Sequence, residues 1–261
     1  MNMKITGLLA LCAATGAILV TSTSVRASET DDRIEASAKK SYVFKTYLKD
    51  DSIKTESKNG IVTLTGTVAE SSHKSLAQDT VENLPGVKSV DNQLKVSGEQ
   101  PAEHSDAWLC TKVKTTLLFH RHVSASGTTV YVKDGIVTLQ GEASSLAQKE
   151  LTTEYVRDID NVKEVKNNMT VAKTPPAPDA TVGEKMDDAS ITAQIKASLM
   201  THRSTSALKT KIQTADGVVT VNGMARNAAE KSLVTKLVTD INGVNSVINN
   251  MTVEVPPASN N

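Results

Sequence analysis

The residues able to do chemistry are few and far apart in this chain. Of five histidines, two form the pair His120-x-His122. On a strand they could ligate a metal. No Cys or carboxylate cluster sits beside them, so they read as part of a solvated loop. The adjacent acids Asp31/Asp32 and Asp187/Asp188 could in principle share acid and base duties. Each pair instead lies at the start of a helical pattern, where negative side chains suit the helix dipole. No nucleophile elbow surrounds a Ser, and no Gly-rich phosphate loop leads into a helix. Cys110 lies beside Leu109 and Val113 and reads as a partly buried thiol, with no electropositive neighbour to activate it. Asn92, Asn167 and Asn249 interrupt apolar runs at equivalent places. A binding role is open to them, but a short amide also bonds nearby backbone. These residues assemble no catalytic constellation, so no enzyme, cofactor or metal is expected.

The elements that would hold these residues come from a stretch that occurs three times. Asn59-Gly60-Ile61-Val62-Thr63-Leu64-Thr65-Gly66 returns as Asp134-Gly135-Ile136-Val137-Thr138-Leu139-Gln140-Gly141. It returns again as Asp216-Gly217-Val218-Val219-Thr220-Val221-Asn222-Gly223. Asn-Gly or Asp-Gly before a β-branched run signals a hairpin turn and a strand. Gly60, Gly135 and Gly217 then serve the turn, while Gly66, Gly141 and Gly223 suit a bulge or a close approach. A helical stretch follows each second Gly, then a strand containing the repeated Asn. A further helical stretch precedes each hairpin, with Val43/Tyr47, Val113/Leu117 and Ile195/Leu199 at i, i+4. In the first unit this helix reads as residues 28–50 and the last strand as 87–96. Each unit is therefore α-β-β-α-β, an α+β fold with both helices on one face of a three-stranded sheet.

The 261 residues divide accordingly. Residues 1–27 read as a signal peptide, with Lys4, an apolar run from Ile5 to Val20, and a cleavage motif Val25-Arg26-Ala27. The units occupy 28–97, 106–172 and 187–255. They are joined by a polar linker, 98–105, and a Pro-rich one, 173–186, and are followed by a disordered tail, 256–261. Three independently folding domains on a flexible string are expected. Lys and Arg together number 29, as do Asp and Glu. Cleavage removes only Lys4 and Arg26 from that balance, and no basic stripe remains to suggest nucleic acid.

The Asp-Gly-Ile-Val-Thr-Leu-x-Gly hairpin, the second helix and the Gly-Val-x-x-Val-x-Asn-x-Leu/Met-x-Val strand resemble the BON domain. Nearly all of the chain after residue 27 is covered. Unit two departs only at Asn161, where the family usually has Gly, and Asn tolerates positive φ. Exported proteins built of BON units include an osmotically inducible periplasmic protein and an outer-membrane lipoprotein. The resemblance implies a non-enzymatic periplasmic protein of osmotic stress that attaches to phospholipid and supports envelope integrity. It also implies the alternative of an ATP-independent chaperone or scaffold for unfolded envelope proteins. Unit three carries a slight excess of bases. Arg203, Lys209 and Lys211, with apolar Leu199 and Met200 beside them, are its candidate lipid contacts. The competing reading is a charged edge that resists aggregation. Nothing in the pattern fixes an oligomeric state.

Overall fold

The computed structural model describes residues 22–98, 100–172, 186–205 and 210–254, with side chains from residue 29 onward. Most of the signal segment, nearly all of the Pro-rich linker, the tail and Lys209 lie outside the described residues. In unit one the order is α1 (Ser22–Lys40), α2 (Tyr42–Thr46), β1 (Ser52–Lys58), β2 (Ile61–Val68), α3 (Ser71–Glu82), β3 (Ser89–Asn92) and β4 (Lys95–Val96). Unit two has α4 (Asp106–Phe119), β5 (Thr128–Lys133), β6 (Ile136–Ala143), α5 (Leu146–Arg157), β7 (Glu164–Asn167) and β8 (Thr170–Val171). Unit three has α6 (Asp188–Thr201), β9 (Thr210–Ala215), β10 (Val218–Ala225), α7 (Ala228–Thr239), β11 (Ser246–Asn249) and β12 (Thr252–Val253). The units are α+β throughout.

The middle strand of each hairpin is the centre of its sheet. β2 pairs antiparallel with β1 and parallel with β3 and β4, and β6 and β10 repeat this. The turn between the first two strands has both central residues at positive φ: Asn59 57° and Gly60 79°, Asp134 55° and Gly135 79°, Asp216 50° and Gly217 74°. That is the type I′ hairpin, whose twist matches the strands. At Gly66 φ is 117°, and a Cβ there would lie 1.9 Å from the Ser52 carbonyl oxygen. Gly141 repeats the approach to Gly127 O, also at 1.9 Å. On the covered face Val62, Leu64 and Val68 are buried against Ala77 and Val81 of α3, as expected from their spacing.

Two local expectations are corrected. The helix expected over 28–50 breaks at Ser41, whose Oγ caps α2 by accepting from Phe44 N–H. α1 itself begins at Ser22, so Asp31 is inside it and not at its start. The strand expected over 87–96 is two short pieces. The Asn92 amide donates to Lys74 O at 3.0 Å and accepts from Leu94 N–H at 3.2 Å. Asn167 and Asn249 make the same pair of bonds in their own units. The side chain replaces ladder partners, and the chain dips so that Leu94, Met169 and Met251 enter the core. These asparagines are structural.

The larger correction concerns the string of separate domains: the units pack on one another. Helix α6 is the hub, with nine of its 14 residues buried. A helix buried on nearly every side must have neighbours all round. Unit three's own sheet covers one side. Helix α3 of unit one and α4 of unit two cover others. Lys196 of α6 reaches Asp79 and Glu82 of α3, each at 3.5 Å.

Candidate functional site

The chemistry-bearing side chains collect in three places. The first is the hairpin turn. In α1, α4 and α6 a single carboxylate reaches across to the exposed turn amides. Asp31 accepts from Asn59 N–H at 2.7 Å, Gly60 N–H at 2.9 Å and Ser57 Oγ at 2.7 Å. Asp106 accepts from Asp134 N–H at 2.7 Å and Gly135 N–H at 2.9 Å. Asp188 does the same for Asp216 and Gly217 at 2.8 Å each. The Ser57 hydroxyl and the Gly60 amide hold the Asp31 carboxyl below the usual carboxylate range. The Gly135 and Asp134 amides do so for Asp106. All three acids clamp helix to hairpin, and the bonds that Asp31 and Asp106 accept favour their ionised form.

The second place is the junction of units two and three, where the expected solvated loop at His120 is corrected. His120 and His202 end helices α4 and α6, and both side chains are fully buried. Each meets the Asp that ends the last helix of the other unit: His120 Nδ1 is 3.1 Å from Asp240, and His202 Nδ1 is 3.1 Å from Asp158. The backbone is equally reciprocal. Arg121 N–H donates to Asp240 O and Arg203 N–H to Asp158 O, both at 2.9 Å. Asn242 N–H donates to Phe119 O at 3.1 Å and Asp160 N–H to Thr201 O at 3.3 Å. Equivalent residues thus exchange equivalent bonds, as in an isologous interface. Tyr155 stacks on the His120 ring at 4.1 Å and donates its hydroxyl to Asp240 at 2.6 Å. Of the pair His120-x-His122, His122 stays exposed, 3.3 Å from Asp240. Among the described residues no three His, Cys, Asp or Glu side chains converge as a metal site. The sequence repeats His-Arg, as His120-Arg121 and His202-Arg203, but does not show that the histidines are buried. The signal was its partner, the repeated Asp at the end of the second helix.

The third place is the surface of unit three. The five residues singled out there do not form one patch. Leu199 is buried and cannot insert into lipid without unfolding. Arg203 is held in the junction, near Asp158 and bonded to the Arg157 carbonyl. Met200 and Lys211 are exposed, and Lys209 lies outside the described residues. A different apolar surface is present. The register places Lys211, Gln213 and Ala215 of β9 beside Val218, Thr220, Asn222 and Met224 of β10 on the open side of the sheet. Ser246, Ile248 and Thr252 continue that side. Met224 and Ile248 are nearly half exposed, at 44% and 49%. The matching side of unit one carries Glu56 and Asp91 together with Lys54, Lys58 and Lys95, and that of unit two Glu142 and Glu164 together with Lys133 and Lys166. Unit three's has Lys211 and no acid among the described residues.

Comparison with known proteins agrees with the repeat. The sequence profile of the BON domain matches residues 30–98, 105–173 and 187–255. Osmotically-inducible protein Y of Escherichia coli K12 is 26% identical over 190 residues, 73% of this chain and 92% of that protein. The outer membrane lipoprotein DolP of Haemophilus influenzae is 31% identical over 125 residues, 45% of this chain and 64% of that protein. Among solved structures, CdsD of the Chlamydia trachomatis type III secretion system aligns over 85% of this chain and 90% of its own. It does so at 16% identity with a TM-score of 0.23. Three hairpins, three clamping carboxylates and three bridging asparagines recur where the profile matches, and the chain belongs to the BON domain family, in three tandem copies.

Proposed function

We propose that this chain is a non-enzymatic periplasmic protein of the cell envelope that serves under osmotic stress by attaching to phospholipid surfaces. Its likeness to an osmotically inducible protein and to an outer membrane lipoprotein supports the compartment and the stress. One observation carries the attachment: the open sheet of unit three presents Met224 and Ile248 with Lys211 and, among the described residues, no carboxylate. A half-solvated sheet face is ordinarily polar. Apolar side chains beside a cation suit the boundary between anionic headgroups and acyl chains. Export fits the basic and apolar opening of the sequence. Among the described residues no helix is long and apolar enough to cross a membrane.

The test is co-sedimentation of the full chain with vesicles of anionic and of zwitterionic phospholipid. The variant is Met224→Ser with Ile248→Ser. Binding to anionic vesicles that falls in the variant supports the reading. Equal binding by variant and wild type would remove this face from consideration. No vesicle binding, together with suppressed aggregation of an unfolded envelope protein, would favour the chaperone alternative.

A further inference from the structure

We propose that Asn59-Gly60 is a latent site of spontaneous deamidation, and that the Asp31 carboxylate keeps it unreactive by holding the Gly60 nitrogen. Asn-Gly is the dipeptide most prone to this reaction, because glycine puts no side chain in the way of its own nitrogen. The Gly60 nitrogen would attack Cγ of Asn59. A new C–N bond forms, the bond to Nδ2 breaks, and ammonia leaves with the proton that Gly60 gives up. Water then opens the cyclic imide at either carbonyl, leaving aspartate or isoaspartate at position 59. Neither an oxidant nor an enzyme is needed.

Three Asn-Gly pairs occur in the chain, and each is held differently. Asn222 stands within β10, paired with Lys211 of β9. Asn242 is tied to unit two: its backbone N–H donates to Phe119 O at 3.1 Å and its side-chain amide to Leu118 O at 3.2 Å. Asn59 lies in the type I′ turn and is exposed, so its electrophilic carbon is open to reaction. What is withheld is the nucleophile. Gly60 is buried. Its N–H donates to Asp31 Oδ1 at 2.9 Å, while Oδ2 takes the Asn59 N–H at 2.7 Å. Ser57 Oγ fixes the same carboxylate at 2.7 Å. Attack requires the Gly60 nitrogen to lose its proton and build negative charge. A carboxylate at this distance opposes that charge, as a like charge does. Ring closure also requires rotation about the Asn59 Cα–C bond, which pulls Gly60 N from Oδ1 and breaks a charge-assisted hydrogen bond. The other units show what the products would do. Asp134 and Asp216 occupy the equivalent place with the same left-handed backbone, φ 55° and 50°, so aspartate at position 59 suits the turn. Isoaspartate does not, because it routes the main chain through an extra methylene in a two-residue turn that sets the register of β1 against β2.

The experiment incubates the full chain and its Asp31→Asn variant in mildly alkaline buffer, folded and in concentrated urea. Peptide mass spectrometry then maps aspartate and isoaspartate formed at Asn59, Asn222 and Asn242. Far-UV circular dichroism and hydrogen exchange at the Gly60 amide are recorded on the same samples. In urea the three sites should convert at like rates. In the folded wild type Asn59 should convert at least about tenfold more slowly than in urea, the factor expected from one charge-assisted hydrogen bond. Asp31→Asn keeps an acceptor but removes the charge. It should restore most of the lost rate at Asn59 and leave Asn222 and Asn242 at their wild-type rates. Equal conversion of Asn59 in folded and unfolded wild type would overturn the proposal. So would a folded variant in which Asn59 converts no faster, or one in which all three sites accelerate alike. If the variant unfolds, the wild type decides. Slowing at Asn59 that matches the exchange protection of the Gly60 amide supports the lock, and slowing that departs from it refutes it.

Discussion

The carboxylate of Asp187 caps two helices in two different units, taking the Tyr42 N–H of unit one. Its Oδ2 accepts from Tyr42 N–H at 2.8 Å, and its Oδ1 accepts from Ser190 N–H at 2.9 Å in its own unit. Ser190 Oγ donates to Asp187 and accepts from Val43 N–H at 3.1 Å. The first turn of α2 therefore has its free amides satisfied partly from 145 residues away. Removing an N-cap costs about 0.5–2 kcal/mol. Asp187→Ala should lower the melting temperature and speed hydrogen exchange at Tyr42 and Val43. Unaltered exchange at Tyr42 would show that unit one docks without this bond.

Gly141 is the position in unit two that tolerates a side chain least. With φ at 127° and a Cβ 1.9 Å from Gly127 O, Gly141→Val must move the β5–β6 pairing. Strain of this kind costs about 1–3 kcal/mol, a large share of a small domain's stability. Exchange of the β5 and β6 amides should accelerate, while those of β1 and β2 in unit one change little. Equal protection in unit two would disprove the close approach.

The turn-clamping carboxylates set the response of the hairpins to strong acid. Both Asp31 and Asp106 are held below the ordinary value of 3.8 by the hydrogen bonds they accept. Their contribution is complete above that value and disappears as pH falls through the lower native value. Amide NMR signals of Gly60 and Gly135 should stay steady near the ordinary aspartate value of 3.8 and move only below it. Asp106→Asn should abolish that movement at Gly135 and leave it at Gly60. Movement of both signals at the ordinary carboxylate value would contradict the clamp.

Local order was largely readable from the chain, because it depends on residues near one another. Asn59-Gly60 declared its turn, and Val62, Leu64 and Val68 declared the covered face. Ser41 did not announce a break, because its capping role depends on a helix that unit three helps to close. The burial of His120 was invisible for a related reason: it sits at the end of a helix and meets Asp240, which only docking brings beside it. That of Leu199 was legible, since Leu199 stands four residues after Ile195 as the buried Leu117 stands after Val113. Lone-unit logic also misplaced Arg203, a surface cation until Asp158 of unit two is brought beside it. The lipid-facing candidates Met224 and Ile248 were overlooked because they sit singly in sequence and meet only through the sheet.

The proposed export would shorten the chain. The segment Val25-Arg26-Ala27 has the small residues a signal peptidase reads, and α1 as described runs through it from Ser22 to Lys40. Cleavage after Ala27 would leave Asp31, Ile34 and Ala38, the residues that α1 contributes to unit one. Mass spectrometry of the exported protein should therefore find Ser28 first, with the melting temperature of that product matching a chain begun at Ser28. A retained Met1 would reject the site.

Lys211 and Arg203 should part company when lipid binding is measured, although sequence placed them in one basic cluster with Lys209. Lys211 lies exposed on the open sheet beside Asn222, its partner in register. A cation near an anionic surface is worth about 1 kcal/mol, so Lys211→Ser should weaken binding to anionic vesicles roughly fivefold at low salt. Added salt should shrink that difference, because exposed charges are screened. Arg203 spends its guanidinium on the junction, and Arg203→Ser should act on the packing of units two and three instead. Its vesicle affinity should then stay close to wild type while the junction amides of Asp160 and Arg203 exchange faster. A larger loss of lipid affinity from Arg203→Ser than from Lys211→Ser would move the contact from the sheet face to the junction rim. That result would also set Met200, exposed at the end of the same helix, beside Arg203 as the next residue to change.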